Sequence, residues 1–151
     1  NIYLVILGGG YCAGAAIDGC DGVDCPLSNC ANIPIEALEM DYPFARLEAY
    51  TLRPGSGGAG RHRGGLGLAR CYRILEDGVQ FATYSDRFQT QAEGLFDGGA
   101  GQSAEVFVYR GIEEIRLPPK TSFELAKGDL LAVRTGGGGG YGAATSPEPI
   151  Q

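Results

Sequence analysis

Four cysteines lie close together near the start of the chain: Cys12, Cys20, Cys25 and Cys30. Cysteine thiolates are typical ligands of structural zinc, which takes four ligands in a tetrahedral arrangement. Their spacing is not the short C-x2-C pair of zinc knuckles, but the loop at residues 11–34 that carries them is long enough to need a clamp. The cluster therefore predicts a structural zinc site, with His62 as a possible substitute ligand. The alternative is that the thiols are small, buried and inert.

A second chemically active stretch runs from Arg53 to Arg70 and combines seven glycines with four arginines and the single histidine of the chain. Glycine amides can form an anion-binding nest, and arginine binds carboxylate or phosphate through paired hydrogen bonds. On this interpretation Arg61, His62 and Arg63 are the catalytic candidates. The alternative is that the glycines build turns and the arginines pair with acidic residues, here or across a subunit interface. No Lys-Ser/Thr pair of a phosphate-binding P-loop follows, which favours the structural alternative.

Three further groups have both a chemical and a structural interpretation. Glycines crowd the segment Gly136–Gly142, which lacks the phosphate-loop motif and predicts close packing against another chain. Glu36 and Glu39 lie three apart, so they either share acid–base work on a short helix or form a solvated face. Three aspartates could attract a divalent cation, although their spacing does not fit an EF-hand: Asp18, Asp21 and Asp24.

Composition and charge exclude several classes of protein. The 151 residues suit one domain, and the net charge of −6 argues against general nucleic-acid binding. No apolar run approaches the length of a membrane span. The chain lacks the features of a signal peptide, so we expect a cytoplasmic protein without a disulfide framework.

The elements that must position these groups are mostly strands. Short runs of alternating or β-branched residues recur between turn signals, which is typical of a sandwich or barrel. We predict one antiparallel β-sandwich or barrel-like module at residues 1–142, with long glycine-rich loops, and an extended tail at 143–151. The predicted strands are residues 2–7, 45–52, 66–75, 79–84, 104–109, 112–117, 121–125 and 130–135.

Three local features refine this prediction. Residues 2–7 are apolar throughout and predict a buried strand. Residues 34–41 have helix-forming composition, with Pro34 suited to a first helical position. Glu76-Asp77-Gly78 is a turn signal that predicts a hairpin between the strands on either side.

Four sequence blocks, at residues 21–39, 53–67, 117–120 and 128–142, occur in an order that resembles the C-terminal region of the hydantoinase B/5-oxoprolinase family. The blocks read N-I-P-I-E-A-L-E at the end of the first, then G-S-G-G-A-G-R-H-R-G-G, L-P-P-K, and G-D followed by G-G-G-G-G-Y-G. Family chains are several hundred residues long, so the resemblance implies a tail module supplied as a separate polypeptide. The four clustered cysteines depart from the family pattern.

A small separate chain of this kind resembles the small subunit of acetophenone carboxylases. The resemblance implies larger hydantoinase A-like and hydantoinase B-like partner subunits. It also implies ATP, with Mg or Mn, bound by those partners, and activation of a ketone as an enol phosphate and of bicarbonate as carboxyphosphate. Two alternatives stay open: a part of a hydantoin- or 5-oxoproline-hydrolysing amidohydrolase, and a stand-alone anion-binding β module.

Overall fold

A computed structural model describes residues 1–24, 28 and 34–144 of the chain. Within them the chain forms one short helix and seven strands. The helix is α1 (Ile35–Asp41), and the strands are β1 (Ala45–Leu52), β2 (Leu68–Ile74), β3 (Val79–Tyr84), β4 (Glu105–Arg110), β5 (Glu113–Leu117), β6 (Lys120–Leu125) and β7 (Leu130–Arg134). No helix in this described part is long and apolar enough to cross a membrane.

The strands form two antiparallel sheets. The larger has five strands in the order β1-β2-β7-β4-β5, and the smaller pairs β3 with β6. The predicted mainly β, antiparallel architecture with one short helix is therefore confirmed, and the sheets do not close into a barrel. The division into a domain at 1–142 and a tail at 143–151 stays a prediction, since residues 145–151 lie outside the described part.

The hydrophobic core lies between the two sheets. Alternate residues of β2 and β4 face it, because side chains along a strand point to opposite faces in turn. Val106 and Val108 on β4 are almost fully buried, and Leu125 at the end of β6 joins them from the smaller sheet. Phe81 of β3 packs against the same cluster. Side chains of both sheets thus share one core.

The predicted hairpin around Glu76–Gly78 is wrong. The turn itself is present, with Gly78 at a φ of 74°, but β2 pairs with β1 and β7, whereas β3 pairs with β6. The turn therefore carries the chain from one sheet to the other. Turn residues specify a local reversal, and the partner of each strand is decided by burial of its apolar face.

The predicted buried strand at residues 2–7 is also wrong. The segment belongs to neither sheet, and Ile2 and Leu4 are 87% and 83% exposed. No backbone hydrogen bond joins these residues to other described backbone. The apolar pattern is real, but no strand of the described chain pairs with the segment.

Asp129 fixes the tight turn between β6 and β7. Its side chain is 2% exposed and accepts hydrogen bonds from Arg110 Nη2 at 2.6 Å and from the Ala126 amide at 2.9 Å. The hydrogen bonds from Arg110 hold the pKa of this carboxyl below its usual range, although burial opposes the shift. Asp129 thus links the hairpin end of β4 to the start of β7.

We expect Asp129→Asn to lower the free energy of unfolding by about 2 kcal/mol at neutral pH, because a charged hydrogen-bonded acceptor is lost. A carboxyl with a depressed pKa stabilises the fold above its unfolded pKa of about 3.9, and this contribution disappears as the pH falls through the folded pKa. The difference between the two proteins should therefore shrink below about pH 4. Urea unfolding across this pH range measures it.

Glu48→Gln is the matched control, since it neutralises a carboxylate paired with Arg73 on the surface of β1 and β2. Its urea midpoint should stay close to that of the unmodified chain. Equal midpoints for Asp129→Asn and Glu48→Gln would contradict the structural role given to Asp129.

Candidate functional site

Four glycine-rich segments lie side by side and form one unit, which we call the glycine bundle: residues 8–23, 53–67, 92–102 and 136–142. They are joined by backbone hydrogen bonds outside the named strands. The Gly65 amide donates to the Tyr11 carbonyl at 2.8 Å, and the Gly138 amide donates to the Gly65 carbonyl at 2.9 Å. The Gly140 amide donates to the Gly99 carbonyl at 2.9 Å. The segments predicted as long glycine-rich loops therefore form one ordered, hydrogen-bonded structure.

At the closest crossings of this bundle only glycine fits. A Cβ atom on Gly64 would lie 1.9 Å from the Gly138 carbonyl oxygen, and one on Gly137 would lie 1.9 Å from the Ser56 carbonyl oxygen. The physical reason is the one that places glycine at the crowded axis of collagen. The predicted close packing of residues 136–142 is thus real, but the prediction named the wrong partner: these glycines pack against segments of their own chain.

Polar side chains attach the bundle to the large sheet. Ser56 is fully buried, and its Oγ donates to the Arg53 carbonyl at 2.7 Å and accepts from the Gly67 amide at 2.8 Å. The Arg53 guanidinium reaches the Ser103 carbonyl at 2.6 Å and Glu105 Oε1 at 2.8 Å. Burial lowers the pKa of Arg53, and the adjacent Glu105 carboxylate opposes that shift. These contacts explain the buried Ser and Arg at the start of the loop.

Arg63, one of the three catalytic candidates, is engaged in a structural ion pair. Its Nη1 and Nη2 atoms donate to the two carboxylate oxygens of Asp21 at 2.7 and 3.0 Å. These bonds raise the pKa of Arg63 and lower that of Asp21, which also accepts from the Leu66 amide. Asp18 accepts from the Arg63 amide. Two of the three aspartates considered as cation ligands thus contact this loop instead.

Arg61 and His62 remain available at the end of the bundle. The His62 amide and carbonyl both hydrogen-bond to Tyr141, and its Nδ1 lies 3.5 Å from Asp18 Oδ1. Arg61 is exposed and makes no ion pair with any described residue. Of the three candidates, Arg61 is therefore the one whose guanidinium is free to bind an anion or a partner's carboxylate.

Beside them lies a strained turn that the sequence did not reveal. Phe96 and Asp97 both have positive φ, at 52° and 68°, and the Gly98 amide donates to the Leu95 carbonyl across them. Positive φ at both central residues is the signature of a type I′ turn, and it is costly for a bulky residue such as Phe96. The Phe96 ring is 70% exposed and lies 4.9 Å from that of Tyr141. The Asp97-Gly98 pair is a turn signal in the sequence, but no motif indicates the positive φ of Phe96.

We call this end of the molecule the bundle tip: residues 61–62, 95–97 and 141. It combines a free guanidinium, a half-buried imidazole and two aromatic rings in tilted contact on a rigid backbone. Strained, exposed residues of this kind concentrate at functional sites. The bundle tip is therefore the best-supported candidate surface for binding within the described residues.

Only two of the four clustered cysteines lie among the described residues. Cys12 and Cys20 are exposed, and Cys12 Sγ accepts a hydrogen bond from the Gly139 amide at 3.3 Å. Cys25 and Cys30 lie outside the described residues. Among the described residues, no group of three or more His, Cys, Asp or Glu side chains is placed to hold a metal ion. The four-cysteine zinc site accordingly stays a prediction.

The remaining candidates are dispersed. Glu36 is exposed on α1 and Glu39 is half-buried on the same helix, and both interpretations of this pair stay predictions. Arg70, at the end of the Gly/Arg stretch, lies on β2 with its guanidinium carbon 3.9 Å above the ring of Tyr50. It is 9% exposed, so it packs in the interior and does not reach the bundle tip.

The sequence of this chain matches a known protein family. The family described as hydantoinase B/oxoprolinase matches residues 1–144. The chain belongs to the hydantoinase B/oxoprolinase family. The glycine bundle coincides with the sequence blocks at residues 53–67 and 128–142 that carried the resemblance, so this family's glycine pattern has a structural cause in the present fold.

Two relatives match most of this chain with only a small part of their own length. An uncharacterized protein of Methanocaldococcus jannaschii is 41% identical over 112 residues, covering 74% of this chain and 20% of its own length. The protein named 5-oxoprolinase 1 of Arabidopsis thaliana is 33% identical over 142 residues, covering 93% of this chain and 11% of its own. The chain therefore spans a fifth or less of the length of these relatives.

Two solved structures of larger proteins share the fold. An ATP-dependent caprolactamase from Pseudomonas jessenii superimposes with a TM-score of 0.67 at 27% identity, covering 89% of this chain and 24% of its own. A nucleotide-free acetone carboxylase, described as acting in ATP-dependent acetone carboxylation, gives the same TM-score at 17% identity and covers 22% of its own chain. At that identity the second comparison shows a common fold.

We expect Gly64→Ala to destabilise this hydantoinase B-like module by about 3 kcal/mol or more, because the added methyl group collides with backbone that cannot move aside. Gly14→Ala in the same bundle is the control, since its Cβ would meet only Ile17 Cγ1 at an ordinary 3.6 Å. That variant should stay within about 0.5 kcal/mol of the unmodified chain. Thermal unfolding followed by circular dichroism measures both, and equal melting temperatures would refute the packing argument.

Proposed function

We propose that this chain is a site-completing module of an ATP-dependent enzyme, acting together with hydantoinase A-like and hydantoinase B-like polypeptides. The observation that carries the proposal is the family match over residues 1–144, supported by the fold shared with an ATP-dependent caprolactamase at 27% identity. The described residues offer a rigid glycine bundle with an exposed tip, and they place no nucleophile beside a base. The proposed chemistry accordingly combines the bundle tip with groups outside the described residues.

The proposed contribution of the chain is to position its tip at the partner's site. Backbone hydrogen bonds and the Arg53–Glu105 contact hold the bundle rigid against the large sheet. Arg61 then projects a positively charged guanidinium, and Phe96 projects an apolar anchor. A guanidinium suits a phosphorylated intermediate or a carboxylate. ATP and Mg or Mn are assigned to the partner polypeptides.

The finer proposal is that the complex carboxylates an aromatic ketone, as an acetophenone carboxylase does. It is supported by the resemblance of the sequence blocks to a small separate carboxylase subunit and by the shared fold of the acetone carboxylase chain. In that reaction a ketone activated as its enol phosphate meets activated bicarbonate. The predicted zinc site, if all four cysteines participate, would clamp the loop at residues 11–34.

A second candidate function is ATP-dependent opening of a cyclic amide. A specific observation favours it: the relatives named for lactam substrates are more similar in sequence than the carboxylase. The 5-oxoprolinase of Arabidopsis thaliana is 33% identical and the caprolactamase 27%, against 17% for acetone carboxylase. Both candidates use ATP to activate a carbonyl group, so the same module can serve either reaction.

ATP turnover by the co-purified complex distinguishes the two. We expect ATP consumption to require both bicarbonate and an aryl ketone, because the proposed reaction activates both substrates. The assay measures phosphate release with acetophenone, bicarbonate, 5-oxoproline or caprolactam added in turn. Turnover that needs a cyclic amide and ignores bicarbonate would replace the first function with the second. Failure of the chain to copurify with any hydantoinase-like polypeptide would refute the proposed module.

Arg61→Ala tests the role of the bundle tip. We expect turnover to fall by at least about tenfold with the complex intact, because a charged donor is removed from the partner's site. Arg46→Ala is the control, since Arg46 is an exposed arginine on β1 away from the tip. Size-exclusion chromatography with the phosphate assay separates the outcomes. Disassembly of the complex would assign Arg61 to the interface, and unchanged turnover would remove it from the site.

A further inference from the structure

Arg70 is a buried cation that forms no ion pair with any described residue. It lies on β2, between β1 and β7 in the large sheet, and is 9% exposed. Five other arginines each contact a carboxylate, and they are Arg53, Arg63, Arg73, Arg110 and Arg134. A guanidinium stays charged at physiological pH, and a buried charge is costly unless it is paired. An anion beside Arg70 would remove that cost.

The side chains around Arg70 are tyrosines, which are neutral at physiological pH. Its guanidinium carbon lies 3.9 Å above the ring of Tyr50, the residue directly opposite on β1, and its Nη1 donates to the Tyr72 hydroxyl at 3.4 Å. Burial and contact with Tyr72 raise the pKa of Tyr3, although the nearby Arg70 opposes the shift, so this phenol stays protonated. Cation–π contact offsets only part of the cost of burying the charge.

One edge of the Arg70 guanidinium has an unused donor. Its Nε is buried and has no hydrogen-bond partner among the described residues. Two other arginines show what this edge binds: Arg73 donates from Nε and Nη2 to the two oxygens of Glu48, and Arg110 holds Asp129 through the same two atoms. Such bidentate pairs are the strong form of the arginine–carboxylate contact. Arg70 lacks the carboxylate that this edge would hold.

A cavity of about 1410 Å³ lies beside the tyrosines. Tyr3 and Tyr72 line it, as does Val133, which is opposite Arg70 in the pairing of β2 with β7. Tyr3 belongs to residues 2–7, whose backbone makes no hydrogen bond to other described backbone. Movement of Tyr3 therefore opens a path from the cavity to Arg70 without breaking a main-chain hydrogen bond of the described chain.

The walls of the cavity indicate what kind of molecule the anion belongs to. Phe44, Val79 and Phe81 line it, and each is half-buried. Sites for small organic molecules typically combine apolar walls with a few polar groups that fix the orientation of the ligand. The cavity exceeds the roughly 300–1,000 Å³ of such sites, so a small ligand would fill only part of it.

We propose that Arg70 binds the carboxylate of a small organic acid whose apolar body lies in this cavity. The carboxylate binds the Nε edge of the guanidinium and accepts a further hydrogen bond from the Tyr72 hydroxyl, whose oxygen already accepts from Arg70. The apolar body packs against Phe44, Val79 and Phe81. This carboxylate site is separate from the bundle tip and binds its ligand without a partner polypeptide.

Isothermal titration calorimetry with benzoate tests the site on the chain alone. We expect benzoate to bind at least about tenfold more tightly than benzamide, its uncharged analogue, because a charged acceptor strengthens the hydrogen bonds. Acetate has the charge without the apolar body and should bind at least about tenfold more weakly than benzoate. Absence of benzoate binding, or equal affinity for benzoate and benzamide, would overturn the proposal. Acetate that binds as tightly as benzoate would overturn the place given to the apolar body.

Arg70→Lys tests the residue that holds the anion. Lysine keeps the charge and loses the planar pair of donors, so we expect benzoate affinity to fall by at least about tenfold. Arg73→Lys is the matched control, because Arg73 lies on the opposite face of the same strand, beside Glu48. Its benzoate affinity should stay within about twofold of the unmodified chain. Equal loss of affinity in both variants would contradict a site at Arg70.

Tyr72→Phe keeps the test decisive if Arg70→Lys does not fold, since it removes one hydroxyl and leaves the guanidinium in place. We expect benzoate affinity to fall about fivefold, because one hydrogen bond is lost. Circular dichroism checks that each variant is folded. Unchanged benzoate affinity in the folded variants would overturn the carboxylate site. The proposed function is assayed separately, by copurification and ATP turnover, and stands whichever result is found here.

Discussion

The close approach of backbone to backbone in the glycine bundle is the constraint on which the rest of the structure depends. Four segments meet so closely that carbonyl oxygens occupy the space where a Cβ would lie. The attraction is supplied by backbone hydrogen bonds, since glycine has no side chain to bury. Glycine also loses more conformational freedom on folding than any other residue, so the bundle needs external support. Ser56 and Arg53 supply it from within the bundle, and Glu105 supplies it from the start of β4.

That constraint explains why the arginines of this region have different roles. Arg53 and Arg63 each reach a carboxylate and hold segments of the bundle in place. Arg61 is positioned by its backbone pairing with residue 142 and keeps its charge free. A stretch that resembles an anion-binding loop in sequence is thus mostly a structural unit, and its candidate chemistry is concentrated at one end. The Leu95–Gly98 turn adds an aromatic surface at that end.

The positions of the helix and the strands were predictable from the sequence, whereas the pairing between strands was not. Strand β1 and strand β3 begin and end where alternation predicts, and α1 starts one residue after Pro34. The predicted hairpin at Glu76–Gly78 is wrong because a turn signal is local, whereas the pairing of β2 and β3 with other strands is decided by burial in the core. The predicted strand at residues 2–7 is wrong because periodicity reports apolar character and cannot show whether another strand lies alongside to pair with it.

The site was predictable only in part, for a related reason. Arg61, His62 and Arg63 stood out by residue type, and the structure separates them by showing Asp21 beside Arg63. Phe96 carries no motif, and Tyr141 belongs to the G-G-G-G-G-Y-G block in a distant part of the chain. Their neighbourhood exists because the segments at 92–102 and 136–142 cross within the bundle, which is a property of tertiary packing.

The order of the four bundle segments along the chain has a consequence for folding. The final segment, residues 136–142, hydrogen-bonds to each of the other three, including Gly10 near the opposite end. The bundle therefore closes only after residues 136–142 have been synthesised. Contacts of such long sequence separation slow folding, because the entropy of closing long loops must be overcome first. The strand pairs β1–β2 and β4–β5 join segments much closer in sequence, so their loops cost less entropy to close.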